Sequence, residues 1–446
     1  MKIRSAELIG ALSHALDITE GQPRGHCHRV CWLGMKLGEG VNLAREELSD
    51  LYYALLLKDL GCSSNAARIC QLYLADDLKF KSDFKLIDGS LAQALRFVLT
   101  HTGLESGMAE RFRAIINIMR NGGQISRELI EARCHRGADI ARQMGFSATV
   151  ADAIQNLDEH WDGSGKPEGR LRRDIPVASQ IALMAQVADV FFMANGNEAA
   201  LREVESRSGT WFDQDLVDVF TNLAEWDEFW EPLNADDLAT RILALEPEEH
   251  IRMADEDYLD RVAKGFAMVV DSKSPFTAGH SSRVALYTDM IAERLGLEAA
   301  HRRQLCRAAL LHDIGKLGIS NSILDKPTRL TDEEFATIKN HPTLSAQILS
   351  DIPALANMVP VAEGHHERLD GKGYPRNLKG DAINLDTRIV TAGDVFDALT
   401  ADRPYRKAMS VSDALALMQR DVGAAFDPRC FAALADAMKD MQRAAA

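Results

Sequence analysis

The stretch that decides the fold is Ala308-Ala309-Leu310-Leu311-His312-Asp313-Ile314-Gly315-Lys316. Four apolar residues end a predicted helix, an imidazole and a carboxylate follow at once, and a lysine comes three residues after the aspartate. Because residues three apart share a helical face, Asp313 and Lys316 can act on the same ligand. This pattern favours a site that binds a metal ion and an anion together.

Further potential ligands flank this stretch on both sides. Imidazoles and carboxylates without cysteine form a mixed nitrogen and oxygen set that suits Fe, Mn or Zn better than Mg or Ca. The set is larger than one catalytic metal takes when it must leave a position for water, so we expect two divalent ions, Fe or Mn, with Asp313 as the bridge. Paired metals activate water and clamp a phosphoryl group, which predicts phosphodiester hydrolysis. The predicted ligands are His280, His312, Asp313, His341, His365, His366 and Asp394.

Several cations and one loop are candidates for binding the substrate. We expect Lys316 to act in catalysis with Asp313 by stabilising charge on a phosphate oxygen. Glycines in the loop let the backbone approach a ligand, and Tyr374 offers a flat ring. A solvated helix end is an equal alternative for the basic segment after residue 402, and Lys372 and Tyr374 have loop and packing alternatives. The candidates are Arg283, Lys316, Lys372, Gly373, Tyr374, Pro375, Arg403, Arg406 and Lys407.

Composition sets limits on the class of protein. The chain has 446 residues, which favours two domains, and its net charge of −15 argues against binding nucleic acid or an anionic membrane. We find no apolar run of the roughly 18 residues needed to span a bilayer and no signal-peptide core at the start. The seven cysteines contain no CxxC pair and are typical of reduced thiols. We therefore expect a cytoplasmic protein.

The two halves of the chain repeat one another. Gly25-His26 and Lys58-Asp59 recur 254 residues later as Gly279-His280 and His312-Asp313. After an insertion of about 48 residues in the first copy, an offset of 206 aligns His135 with His341 and Glu159-His160 with His365-His366. Apolar residues follow helical spacing in both copies, and an acidic segment from Glu246 to Asp260 separates them. The sequence predicts an all-α protein with tandem domains at 1–250 and 251–446.

The second half resembles the HD-GYP phosphodiesterases, a subgroup of the all-helical HD metal-dependent phosphohydrolases. The likeness covers about residues 256 to 440 and rests on the ligand series above, on His341-Pro342 and on the loop Asp370 to Pro375. It implies that His280, His312 and Asp394 hold one ion and that His341, His365 and His366 hold the other. Some members place a glutamate four residues before the first ligand histidine and hold a third metal, but Phe276 stands there in this chain.

The resemblance also implies a substrate. In this family the glycine-tyrosine-proline loop helps to select cyclic dinucleotides, above all cyclic di-GMP, which would give pGpG or GMP. Mixed cyclic GMP-AMP is the alternative within the enzyme class, because we identify no residue that reads the second base. A sensor that binds the nucleotide without hydrolysis is the alternative from another class.

The first half keeps the motifs but loses ligands. Lys58 replaces His312 and Cys62 replaces Lys316, while the counterpart of Asp394 is either Asp189 or Gln186. We interpret this half as a degenerate HD-GYP-like domain with a structural, dimerising or regulatory role, which makes a homodimer or a protein partner an expectation. Leucine, phenylalanine and alanine recur at helical intervals in the insertion, which predicts added helices there.

Overall fold

Helices account for the regular structure of the molecule. A computed structural model describes residues 3–87, 90–247, 253–403 and 406–445. Within these ranges the β-type pairing consists of five isolated bridges, and the remaining regular structure is helical. The prediction of an all-α fold is confirmed.

The chain divides into two compact units, Met1–Tyr258 and Leu259–Ala446. We predicted the division eight residues earlier, at 250, and residues 248–252 of the predicted junction lie outside the described residues. Met253 pairs with Arg4, and the amide of Ala254 donates to the carbonyl of Ile3 at 2.9 Å. These bonds tie the end of the first unit to its own beginning.

The first unit is an assembly of helices. Side chains cap several helices, among them Asp76, Ser90, Ser147 and Asp213, because an oxygen there satisfies an amide that has no partner in the first turn. Its helices are α1 (Ser5–Thr19), α2 (His26–Gly40), α3 (Arg45–Leu57), α4 (Ala66–Tyr73), α5 (Asp77–Phe84), α6 (Leu91–His101), α7 (Met108–Met144), α8 (Ala148–Gln155), α9 (Val177–Asn195), α10 (Asn197–Ser206), α11 (Gln214–Ala224), α12 (Asp227–Trp230) and α13 (Leu238–Ala244).

The most apolar helix of the first unit is α9. Our expectation that the chain has no apolar run of membrane-spanning length was wrong for this helix, whose 19 residues are long and apolar enough to cross a bilayer. About 67% of its apolar window is buried, and α9 packs against α2 and α10. A helix that is apolar on all sides is also what the core of a large soluble domain requires.

The insertion in the first half forms helices, as predicted. Its helices α4, α5, α6 and the first part of α7 enclose a small core of their own. Phe80 lies at the centre, with its ring centroid 4.2 Å from that of Tyr73 and 5.1 Å from that of Phe97. The buried members of this core are Ile69, Leu72, Tyr73, Phe80, Phe97, Ile118 and Ile125.

The second unit repeats the helical plan without the insertion. Helix α15 packs against α16 and α21, which places three ligand-bearing segments around one centre. Its helices are α14 (Glu256–Ser272), which begins just before the division, α15 (His280–Arg294), α16 (Ala299–Leu311), α17 (Asn321–Leu324), α18 (Asp332–Lys339), α19 (His341–Ser350), α20 (Val359–Gly364), α21 (Leu385–Thr400), α22 (Val411–Gln419) and α23 (Pro428–Ala445).

Candidate metal centre

The predicted ligands lie at the ends of helices in the second unit. His280 and His341 are the first residues of α15 and α19, and His312-Asp313 directly follow α16. His365 and His366 follow α20 in the same way, while Asp394 lies within α21. Because helix ends converge on one point, residues distant in sequence share one buried centre.

Gly315 explains how the His-Asp turn reaches α19. A Cβ atom at this position would lie 2.1 Å from the carbonyl oxygen of His341 and 2.6 Å from the amide nitrogen of Ser345. The amide of Gly315 donates to Oγ of Ser345 at 2.9 Å. Only glycine permits this contact, and the contact brings His341 beside Asp313.

The ligand atoms form two neighbouring groups. One group is His280, His312 and Asp394, and the other is His341, His365 and His366. Within each group the candidate atoms lie within 4.8 Å of one another. These are the two sets that the resemblance assigned to two ions, so the structure brings together every predicted metal ligand.

Asp313 lies between the two groups. Its Oδ2 is 3.2 Å from Nε2 of His312 and 3.4 Å from Nε2 of His280, whereas its Oδ1 is 3.2 Å from Nε2 of His341 and 3.6 Å from Nε2 of His365. Each carboxylate oxygen thus faces a different group. This is the arrangement that a carboxylate bridging two cations requires.

The ring nitrogens that face away from the centre are already bonded. Nδ1 of His312, His341 and His365 lies 2.7, 2.6 and 2.9 Å from the carbonyl oxygens of Ala309, Ile338 and Ala362. A carbonyl can only accept, so each Nδ1 carries the proton and each Nε2 presents a lone pair inward.

Several inward-facing atoms have no hydrogen-bond partner. Nε2 of His280, Nε2 of His312 and Oδ1 of Asp313 are buried without one. Buried polar atoms are normally satisfied, and a metal ion would satisfy all three. The donor set therefore fits a metal centre.

The electrostatics of the centre favour bound cations. Burial raises the pKa of Asp313, but His312 and Lys316 outweigh it and hold that pKa well below its ordinary value. Burial lowers the pKa of His365 to about 4, which keeps this imidazole neutral at pH 7. Burial also opposes the charged form of His280, but Asp313 and Asp397 outweigh it and raise the pKa of His280 to about 9, so His280 would release a proton on binding metal. An ionised carboxylate and neutral imidazoles are the forms that bind metal.

Asp397 is a residue of the centre that we did not predict. Its Oδ2 lies 2.7 Å from Nδ1 of His280, and Arg283 binds the same carboxylate through Nε and Nη2 at 2.6 and 3.0 Å. Nη1 of Arg283 also donates to the carbonyl of Ala278. The structure therefore gives Arg283 a partner that orients a metal ligand, and its predicted contact with substrate stays a prediction.

The other predicted substrate residues differ in position. Lys316 contacts Asp313, and its side chain is 20% exposed, so it lies at the opening of the centre. Arg406 donates to the carbonyls of Ala398 and Leu399 at the end of α21, which occupies its guanidinium. Arg403 pairs with Arg406 through the backbone, while Lys372 and Lys407 are exposed. The contacts of these residues with substrate remain predictions.

The loop that carries Tyr374 folds back onto the ligands. A Cβ atom at Gly373 would lie 2.6 Å from the carbonyl oxygen of His366, so glycine is required for this approach. Pro375 follows directly, and the ring of Tyr374 stacks on that of His366 with centroids 4.8 Å apart. The predicted loop residues thus lie beside the second ligand group.

Comparisons with known proteins agree with this geometry. The family model described as "HD domain" matches residues 105–216 and 264–430, which includes parts of both units. The chain belongs to the HD-domain family.

Individual relatives indicate which members of the HD-domain family this protein is similar to. It is 50% identical to the 3'3'-cGAMP-specific phosphodiesterase 3 of Vibrio cholerae over 97% of this chain and 94% of that protein. It is 39% identical to a cyclic di-GMP phosphodiesterase response regulator of Xanthomonas campestris over 44% of this chain and 51% of that protein. A crystal structure of a cyclic GMP-AMP-specific phosphodiesterase of V. cholerae superposes with a TM-score of 0.66 at 45% identity and covers 98% of each chain. The prediction of an HD-GYP phosphodiesterase is confirmed.

The first HD unit aligns with the second in a different register from the one we predicted. A Cβ atom at Gly61 would meet the carbonyl of Arg133 and the amide of Gly137, just as Gly315 meets His341 and Ser345. The offset after the insertion is therefore 208 rather than 206, and the insertion has 46 residues rather than 48.

This register corrects three counterparts. His341 corresponds to Arg133 rather than His135, and His365-His366 correspond to Leu157-Asp158 rather than Glu159-His160. Glu159 instead corresponds to Glu367, since each carboxylate accepts hydrogen bonds from backbone amides of the loop that follows it. The predicted pairing matched histidines by identity, whereas the backbone contact at the two glycines fixes the true one.

The same register resolves the counterpart of Asp394. Asp189 lies 2.6 Å from Nδ1 of His26 and 2.6 Å from Nε of Arg29, which is the arrangement of Asp397 with His280 and Arg283. Asp189 therefore corresponds to Asp397, and Gln186 corresponds to Asp394. The first unit keeps the carboxylate that orients the histidine and loses the carboxylate that would bind metal.

Cationic side chains occupy the first unit where the second unit gathers its ligands. Nζ of Lys58 lies 3.0 Å from Nε2 of His26 and contacts Asp59, and Arg133 pairs with Asp158 with Nε 2.9 Å from Oδ2. Glu20, Asp59 and Cys62 also lie close enough to hold a metal, but Lys81 of α5 and Lys85, which directly follows that helix, pair with Glu20. Protein ammonium and guanidinium groups neutralise these buried acids.

Proposed function

We propose that the second unit hydrolyses a cyclic dinucleotide, with mixed 3',3'-cyclic GMP-AMP as the preferred substrate. The observation that carries the reaction is Asp313, whose two oxygens face two separate groups of ligand atoms. Cyclic di-GMP was our first expectation from the sequence. The mixed dinucleotide is favoured because the relative that matches both halves is named for it, whereas the cyclic di-GMP relative from X. campestris matches 44% of the chain.

In this reaction the metal ligands and Lys316 have separate roles. The His280, His312 and Asp394 group and the His341, His365 and His366 group would hold two ions, Fe or Mn, bridged by Asp313. Such a pair supplies an activated water and a clamp for the phosphoryl group. Lys316 lies beside Asp313 at the opening, where its ammonium neutralises charge that develops on a phosphate oxygen. Phe276 offers no donor atom for a third ion.

The experiment is a hydrolysis assay on the full chain purified without oxygen and loaded with Mn(II) or Fe(II). We expect turnover of mixed cyclic GMP-AMP, about two metal ions per chain, and a loss of at least a hundredfold in rate for Asp313→Asn and His312→Ala. Asp59→Asn is the matched control, because Asp59 occupies the equivalent position in the first unit and should leave the rate unchanged. Binding of the dinucleotide without turnover that depends on Asp313 would refute the enzyme and favour a sensor.

We further propose that the first unit pairs two copies of the chain through an apolar stripe on α7. Met108, Phe112, Ile115 and Met119 recur at intervals of four and three residues, which is the spacing of a helix that packs along another helix. Phe112 is 64% exposed and Met119 is 60% exposed. Leu95, Leu99 and Leu104 of the same insertion are also exposed, and large exposed apolar patches mark sites of protein association.

Two glycines in α7 support this pairing. Gly122 and Gly123 lie in the helix interior, where each costs about 1 kcal/mol relative to alanine. A Cβ atom at either position would have no neighbour within 4 Å, so packing within the chain does not require them. Small residues let a second helix approach closely, which gives these glycines a role in a dimer.

The seven free cysteines are in keeping with a cytoplasmic location, which we also propose.

A further inference from the structure

Beyond the metal ligands, an aromatic and basic surface continues outward from Tyr374. Phe335 and Lys339 lie four residues apart on α18 and therefore on one face. Nζ of Lys339 is 4.5 Å from the ring centroid of Phe335 and 5.5 Å from that of Tyr374. Since Tyr374 stacks on the ligand His366, these side chains form a continuous path from the centre to solvent.

Two features distinguish this surface from ordinary packing. Phe335 is 44% exposed, so part of its side chain is open to solvent, and Nζ of Lys339 lies over its ring. Within the described parts of the chain, no carboxylate pairs with Lys339, although most charged residues around the centre are paired. An unpaired ammonium beside an open ring is suited to a flat ligand with hydrogen-bond acceptors on its edge.

A purine base has that chemistry, and guanine fits better than adenine. Guanine presents two adjacent acceptors, O6 and N7, whereas adenine presents one acceptor beside an amino donor. An ammonium group can donate to both acceptors of guanine but is opposed by the amino group of adenine. The ring of Phe335 would supply stacking, which is insensitive to the identity of the base.

We propose that Phe335, Lys339 and Tyr374 form a subsite for a guanine base of the substrate, which rests on the proposed function. In this subsite the ring of Phe335 stacks on the base, and Lys339 selects guanine over adenine. A subsite of this kind would favour dinucleotides with at least one guanine over cyclic di-AMP.

The test compares KM and kcat for mixed cyclic GMP-AMP, cyclic di-GMP and cyclic di-AMP. We expect Phe335→Ala to raise KM about tenfold for all three substrates, with kcat changed much less, and Phe335→Tyr to retain most of the affinity. We expect Lys339→Met to raise KM about tenfold for the two substrates that contain guanine and to leave cyclic di-AMP nearly unchanged. Lys439→Met, an exposed lysine on α23, serves as the control.

Equilibrium binding separates this proposal from the proposed function. Non-hydrolysable phosphorothioate analogues of the three dinucleotides are titrated into the metal-loaded chain and into each variant. If the wild type binds the guanine analogues in a manner that depends on Lys339 yet shows no turnover, the subsite stands and the enzyme does not. If Lys339→Met binds all analogues within twofold of the wild type, or if the wild type binds none of them, the guanine subsite is wrong.

Discussion

A histidine binds metal through the ring nitrogen that carries no proton, so its tautomer decides which nitrogen can be the ligand. In three of the five predicted histidine ligands a backbone carbonyl three residues earlier holds Nδ1, so the chain itself fixes which nitrogen faces the centre. At His280 the carboxylate of Asp397 takes the place of the carbonyl. A carboxylate at that position also makes the imidazole a more basic ligand.

This contact predicts the effect of removing Asp397. Asp397→Ala should weaken metal binding about ten- to a hundredfold, because His280 loses the partner that orients it and Arg283 is left near the centre without its counter-charge. The measurement is the chelator concentration that removes half of the metal, read by elemental analysis.

The first unit offers a matched control for that experiment. Asp189→Ala removes the same two contacts from His26 and Arg29 and should lower the melting temperature without changing metal content. If Asp397→Ala retains its metal at the chelator concentrations that the wild type tolerates, Asp397 has no part in positioning the ligand.

The ligands could be predicted from sequence, but Asp397 could not. His and Asp residues in a fixed order are specific enough to identify a metal centre, and the structure brings all seven together. The role of Asp397 depends on a contact across 117 residues between α15 and α21. The available signal was the repeated arginine three residues after each first histidine, Arg29 and Arg283, whose partners only the fold reveals.

At the scale of elements, the insertion does more than lengthen the first unit. Helix α5 and the residue that follows it bring Lys81 and Lys85 to Glu20, a carboxylate directly after α1 that is 2% exposed. Nζ of Lys85 lies 2.7 Å from Oε2 of Glu20. Burial raises the pKa of Glu20, but Lys85 and Lys81 outweigh it and lower that pKa to about 2.

Removing one of these cations should destabilise the first unit. Lys85→Met leaves a buried carboxylate with the more distant Lys81, and we expect a loss of about 3 kcal/mol in the free energy of unfolding. Glu20→Gln in the same chain should restore most of it, while Lys79→Met on the exposed face of α5 should have little effect. Urea unfolding of the four proteins provides the comparison.

The dependence on pH gives this prediction a second readout. A carboxyl whose pKa is lowered on folding adds stability above its ordinary value of 4.5, and that stability is lost as the pH falls toward 2. The pKa of Glu20 should rise in Lys85→Met, so the stability that depends on Glu20 should be smaller and its loss should be complete at a higher pH. Identical acid unfolding in both proteins would show that α5 does not stabilise the carboxylate.

For the molecule as a whole, the duplication was visible in the sequence, and the match of Asp162 to Pro167 with Asp370 to Pro375 already has the offset of 208, but the histidines were aligned in another register. Fixed offsets at Gly25-His26 and Lys58-Asp59 revealed two copies, and the helical periodicity gave the all-α fold. The predicted offset after the insertion was wrong by two residues. His135 was matched to His341, whereas the backbone contact at Gly61 aligns Arg133 with His341.

The stripe on α7 belongs to the same scale, because it predicts how two whole chains associate. Lysines at Phe112 and Met119 would place charges in a helix-to-helix contact that buries apolar side chains, at a cost of several kcal/mol. We therefore expect the wild type to be dimeric at micromolar concentration by light scattering, and the Phe112→Lys, Met119→Lys double variant to be monomeric. Asn117→Lys with Gln124→Lys adds the same charge to exposed positions on the polar face of α7 and should leave the dimer intact. A wild type that stays monomeric at micromolar concentration, or a double variant that is still dimeric, would show that the stripe does not form a dimer contact.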